Sequence, residues 1–129
     1  MIPPKNIVPF ESELAVFWFD NDGILYSKSK QQQRTIEALK KDYEFLKRIN
    51  DGKKVCLLAD ATKMSQIDKE TRNYIDEQLP NYFNAIALIS KSMLGYFITN
   101  VYLTVKKQPI PIKFFKSQKE AVVWLKTYM

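Results

Sequence analysis

The sequence predicts an α/β fold in which a mixed five-stranded sheet is packed by four helices. Three observations carry that expectation. Two continuous apolar runs, Val55-Cys56-Leu57-Leu58-Ala59 and Ala85-Ile86-Ala87-Leu88-Ile89, are too short for helices and leave no polar face, so each reads as a strand covered on both sides. Around them, apolar residues recur at three- and four-residue steps, the period of a helix with one buried stripe. Asn21-Asp22-Gly23 separates two further extended segments with residues that tolerate positive φ, which is what a hairpin turn requires. The element order is then ββαβαβαβα, and strand–helix–strand crossovers favour parallel neighbours.

Residues 1–9 carry three prolines and are expected to form an extended arm. Leu14-Ala15-Val16-Phe17-Trp18-Phe19 is the first strand and Ile24-Leu25-Tyr26 resumes it after the turn. Exposed Phe17 or Phe19 on this hairpin would favour a homodimer. The polar run 28–33 leads into a helix with Ile36, Leu39, Tyr43, Leu46 and Ile49 on one side, ended by Asn50-Asp51-Gly52.

After the 55–59 strand, Asp68 is placed to cap a second helix that buries Thr71, Ile75 and Leu79 and stops before Pro80. Ser92 opens a third, with Leu94, Phe97, Ile98, Val101 and Val105 on its stripe. Pro109-Ile110-Pro111 breaks the chain, and Ile112-Lys113-Phe114-Phe115 is the last strand. Ser117-Gln118-Lys119-Glu120 has the form of a capping box, and the helix behind it buries Ala121, Trp124, Leu125 and Tyr128.

Composition narrows the chemistry. The 129 residues, 46% apolar and 13% aromatic, suit one domain spanning 1–129 with ample core material. Cys56, the single cysteine, lies inside an apolar strand, so no intrachain disulfide forms. No apolar run reaches the length of a membrane span and the first residues lack a signal-peptide core, so a cytoplasmic protein without a transmembrane segment is expected. The formal charge of +6, from 20 basic and 14 acidic residues, includes pairs at helical spacing such as Glu37 with Lys41, so no nucleic acid is expected as partner.

Without histidine the chain cannot build a Ser-His-Asp triad, a Cys-His dyad or a histidine metal site. Gly23, Gly52 and Gly95 are too scattered for a phosphate-cradling loop. No catalytic residue, metal ligand or cofactor is assigned. Acid–base work by Asp60 with Glu70 or Lys63 has no spacing in its favour, because an aspartate at a strand end ordinarily bonds the amides of its own loop.

Parallel crossovers would place their outgoing loops along one sheet edge. That edge would gather Asp60, Thr62 and Lys63 with Ser90, Lys91 and Ser92 and with Lys116 and Ser117, a setting for an anion or a protein partner. An apolar ligand between helix and sheet, beside Met64, Met93, Phe97 and Tyr102, is the other ligand reading.

The element order, with an aspartate ending the third strand, resembles the STAS-like fold of anti-sigma-factor antagonists and the related lipid-binding CRAL-TRIO lobes. Ala87-Leu88-Ile89-Ser90-Lys91-Ser92, Asn100, Lys107-Gln108-Pro109-Ile110-Pro111-Ile112-Lys113-Phe114-Phe115 and Glu120-Ala121-Val122-Val123-Trp124-Leu125 are similar to uncharacterised STAS-like proteins of Bacteroidetes. The resemblance implies a non-enzymatic regulatory module that binds a protein partner. It also implies a phosphorylatable serine at the start of the helix after the 55–59 strand. Here that place holds Asp68-Lys69-Glu70, with Ser65 and Thr71 the nearest hydroxyls, and the phosphorylation switch is not carried over.

Overall fold

A computed structural model describes residues 1–63, 67–91 and 107–129. Its sheet has six strands in sequential order: β1 (Phe10–Glu11), β2 (Ala15–Phe19), β3 (Leu25–Ser29), β4 (Val55–Asp60), β5 (Phe83–Ile89) and β6 (Ile112–Phe115). The first three are antiparallel and β3 to β6 run parallel, so the sheet is mixed as expected. Three described helices accompany it: α1 (Ile36–Ile49), α2 (Lys69–Tyr82) and α3 (Gln118–Lys126). The helix expected from Ser92 lies outside the described residues.

The sixth strand, β1, corrects the five-stranded expectation. Two residues have no period to read, and tertiary contact defines them: Phe10 stacks on Phe17 at 5.4 Å and tilts against Phe45 of α1 at 5.0 Å. Ser12 closes the turn, its Oγ accepting from the amides of Leu14 and Ala15. Phe17 is therefore buried and Phe19 half-buried, which removes the exposed aromatics on which the homodimer expectation rested. Nor is the arm extended throughout. The Ile7 amide donates to the Pro4 carbonyl at 3.1 Å, and Met1 and Ile7 fold onto the sheet, where burial of their side chains outweighs extension.

The hairpin turn forms at 21–23, with Gly23 at φ +87°. Asp20 organises it: Oδ1 accepts from the amides of Asp22 and Ile24, and Oδ2 accepts from the Tyr26 hydroxyl at 3.2 Å. Thr35 caps α1 by accepting from Ala38 N, and the chain leaves α1 through Asp51 and Gly52, both at positive φ, with the Gly52 amide bonding the Lys47 carbonyl.

Asp68 caps α2, accepting from Thr71 N at 2.8 Å. The helix does not stop before Pro80 but runs through it to Tyr82. A proline near a helix end forfeits one backbone bond, and the extra turn gains contacts: Tyr82 stacks on Tyr43 at 4.8 Å, and Phe83 enters the core.

Strand alternation sends side chains to two cores. On one face Leu14, Phe17, Leu25, Phe83 and Ile86 meet Ala38, Leu39, Tyr43 and Leu46 of α1 and Leu79 of α2. On the other, Trp18, Ile24, Tyr26, Cys56, Leu58, Ala85 and Ala87 meet Ala121 and Leu125 of α3. Burial of a leucine-sized side chain contributes about 1.5–3 kcal/mol, and Leu58 and Leu125 are at 0% exposure. Ser117 Oγ accepts from Glu120 N at 3.2 Å, as the capping pattern predicts. Tyr128, expected inside, lies beyond the end of α3 and is 39% exposed, because a helix ending at Lys126 no longer turns it inward.

Candidate functional site

The site is the sheet edge where four parallel strands end. β3 ends at Ser29, β4 at Asp60, β5 at Ile89 and β6 at Phe115, with Lys28 beside Asp60, Asp60 beside Ile89, and Ile89 beside Phe115 in register. Parallel pairing sets these ends side by side, so every outgoing loop starts from the same rim.

Asp60 is the pivot. It is only 5% exposed, and its Oδ1 accepts twice from Thr62: from the amide at 3.0 Å and from the hydroxyl at 2.6 Å. The first bond is an Asx turn, which a short carboxylate makes with the amide two residues on. Having donated to Asp60, the Thr62 hydroxyl accepts from the Lys91 amide at 3.1 Å. The Ala61 amide also donates to the Ile89 carbonyl at 2.9 Å. One buried carboxylate thus ties the loop after β4 to the loop after β5. The bond lengths are those of strong interactions, the shortest being the hydroxyl-to-carboxylate one.

Lys63 and Lys91 are exposed beside this tie, and Ser90 is half-buried at the end of β5. Lys116 and Ser117 follow β6 on the same rim, but Ser117 is spent on capping α3. Ser92 of the expected edge, and the apolar-ligand residues Met64, Met93, Phe97 and Tyr102, lie outside the described residues, as does Ser65. Thr71 is buried near the start of α2, its amide satisfied by Asp68.

Sequence reading missed the contribution of β3. It continues to Ser29, so Lys28 and Ser29 join the rim, and Arg34 is held to its end through Ser29. The signal was available, since β2 has five residues and a hairpin partner must match it. Arg34 Nη2 donates to the buried Ser29 Oγ at 3.0 Å, and burial lowers the guanidinium pKa from its ordinary value. Nearby, burial raises the Asp42 carboxyl, opposed by the Ser12 hydroxyl that donates to its Oδ2 at 3.1 Å and by the Arg34 charge. Burial also raises the phenol of Tyr43, which shares this corner. Among the described residues no group of three or more His, Cys, Asp or Glu could hold a metal ion.

A sequentially ordered mixed sheet, with an aspartate ending its fourth strand and outgoing chain gathered at one rim, is the arrangement of a STAS-like α/β fold. The solved structure of an uncharacterised protein of the DUF3478 family from Shewanella loihica PV-4, which has a SpoIIAA-like fold, is similar to it: 22% identity, 92% of this chain and 91% of that one covered, TM-score 0.59. The chain belongs to the family described as Domain of unknown function (DUF7793), which it matches over residues 17–129. A protein of unknown function from Arthrobacter sp. FB24 aligns at 20% identity over 85% of this chain and 97% of that one, with a TM-score of 0.30. No curated protein matches the chain. Among the described residues no helix is long and apolar enough to cross a membrane.

Proposed function

We propose that this protein is a non-enzymatic, partner-binding module of the bacterial cytoplasm, and that it engages a protein partner through the rim bearing Asp60, Thr62, Lys63, Ser90, Lys91, Lys116 and Ser117. One observation carries the reading. The Asp60 carboxylate bonds its own loop twice through Thr62, and Thr62 bonds Lys91, so the chain just after β4 and the chain just after β5 are held together at the rim. Oδ1 accepts both bonds from Thr62, and a carboxylate oxygen used this way orders its own backbone. A tied rim flanked by the exposed Lys63 and Lys91 suits recognition, because groups already held in place lose little ordering entropy on binding.

The test is affinity capture from the native host with the wild-type chain and with Lys63→Glu/Lys91→Glu, beside native mass spectrometry of the purified protein. A stoichiometric partner protein held by the wild type and lost by the double variant is expected. A partner retained by the variant overturns the placement at this rim. A small molecule bound to the wild type in place of any protein overturns the module reading in favour of a ligand carrier.

A further inference from the structure

Arg34 is half-buried in a corner where the chain gives it little to bond. A guanidinium offers several N–H donors in a planar fork, and here Nη2 donates to Ser29 Oγ at 3.0 Å, a neutral acceptor. Among the described residues Arg34 makes no ion pair, and residues 64–66 and 92–106 contain no Asp or Glu. Asp42 lies within reach of its charge but is engaged by the Ser12 hydroxyl at 3.1 Å. Lys30, the neighbouring cation, is spent on Glu11 at 2.9 Å and on the Ser12 carbonyl at 2.8 Å. Two hydroxyls in the same corner are idle too. Ser27 and Ser29 follow Leu25 at two-residue steps, which turns all three toward the face of the sheet that α1 covers. Ser27 is 5% exposed, and Tyr43, within electrostatic reach of Arg34, is 7% exposed. Neither hydroxyl has a hydrogen-bond partner among the described residues, yet no sealed side-chain oxygen there lacks one, so both reach solvent. Donors that pay for burial and bond nothing within the chain call for an acceptor from outside it.

We propose that Arg34, with the hydroxyls of Ser27 and Tyr43, binds the carboxylate of a small organic acid between β3 and α1. The planar fork matches the two oxygens of a carboxylate, and the hydroxyls donate to the lone pairs that the fork leaves. Charge selects the class. One guanidinium balances one negative charge, whereas a phosphate dianion would bring an excess into a half-buried corner that already faces Asp42. Thr35 caps α1 directly after Arg34 and Ser29 ends β3, so the side chain is held between two fixed elements and loses little entropy on binding. This goes beyond the rim reading and does not rest on it. The ligand sits on the α1 side of the sheet, Asp60 shares the opposite face with Leu58, and a protein partner at the rim would be bound alongside it.

The experiment is titration of the purified full chain with sodium butyrate at constant ionic strength, followed by proton–nitrogen NMR of the backbone amides and of the Arg34 Nε–H. A saturable shift at Arg34 and at the Ser27 and Ser29 amides is expected. Affinity should fall about tenfold or more in Arg34→Gln and about threefold or more in Ser27→Ala and in Tyr43→Phe. The last two delete hydroxyls that bond nothing among the described residues, so both variants should fold, and circular dichroism verifies all three. Lys63→Ala/Lys91→Ala should bind butyrate as the wild type does, which separates this corner from the rim. Butyrate that leaves the Arg34 Nε–H unshifted, or shifts it without saturating, overturns the proposal and leaves water as the partner of the hydroxyls. Undiminished binding in Arg34→Gln, or in both hydroxyl variants, does the same. Displacement of butyrate by inorganic phosphate at lower concentration than by acetate overturns the assignment to a carboxylate.

Discussion

Removing the Thr62 hydroxyl while keeping the shape of the side chain, as Thr62→Val does, isolates the tie between the two central loops. The lost bond to Asp60 is 2.6 Å long and ends on a carboxylate that is 5% exposed, so water cannot fully replace it. A hydrogen bond to a charged group contributes about 1.5–3 kcal/mol. The Lys91 amide loses its acceptor as well, but on the exposed side, where water takes over and the added cost is small. Asp60 keeps the bond from the Thr62 amide, which holds the total to about 2 kcal/mol. For a chain of this size that is a fall in Tm of roughly 6–10 °C. Urea unfolding followed by circular dichroism measures it, with an unchanged m-value expected because the exposed surface is unchanged. Hydrogen exchange at the Lys91 amide should quicken beyond the global effect. Thr62→Ser, which keeps the hydroxyl, should recover most of the loss. The reasoning fails if Thr62→Val unfolds with the wild type, or if the serine variant is no better than the valine one.

Other perturbations probe other parts of the molecule. Leu125→Ala opens a cavity at a fully buried position beneath α3 and should cost about 2–5 kcal/mol in chemical denaturation; a cost below that of a surface substitution would place α3 off the sheet. Ser117→Ala removes the acceptor of Glu120 N and should cost about 1 kcal/mol, with Ser117→Asp close to wild type; equal stability of all three proteins would deny the cap. Burial raises the Asp42 carboxyl in the folded state, so the folded chain holds that proton more tightly than the unfolded one, and stability falls as pH rises from the ordinary carboxylate value through the folded value. Asp42→Asn should therefore gain on the wild type across that window, and a stability difference independent of pH would count against it. By the same sign, the Tyr26 phenol, pushed from 10.0 up to about 12 by burial and the adjacent Asp20, makes stability fall as pH rises between those values. Tyr26→Phe should flatten that fall in a denaturation series, and an unaltered slope would refute the assignment.

Periodicity and capping chemistry are legible in the sequence, and the agreement with the structure is closest where both operate. Val55 and the apolar residues after it, Asp68 and Ser117 as caps, and the Asn50-Asp51-Gly52 stop stand where their patterns put them. Sequence and structure part where a long-range contact outweighs a local preference. Pro80 breaks helices by its backbone, yet Tyr82 stacking on Tyr43 and the burial of Phe83 carry α2 past it. Phe10–Glu11 has no strand signature of its own and becomes β1 because Phe17 and Phe45 hold Phe10. β3 looks polar from Ser27 onward, and it extends because β2 on one side and β4 on the other need partners for their backbone groups.

At the candidate rim the division is similar. Asp60, Thr62 and Lys91 could be named from residue type and position, because any parallel crossover brings its outgoing loops to one edge. That a single hydroxyl both donates to Asp60 and accepts from Lys91 could not be, since Thr62 and Lys91 are 29 residues apart and their meeting depends on the register of β4 against β5. Element type, order and caps follow from interactions within a few residues, and these are written in local sequence. Strand number, helix length past Pro80, the burial of Phe17, the exposure of Tyr128 and the joining of the loops follow from contacts between distant segments, whose energies exist only once the sheet has assembled.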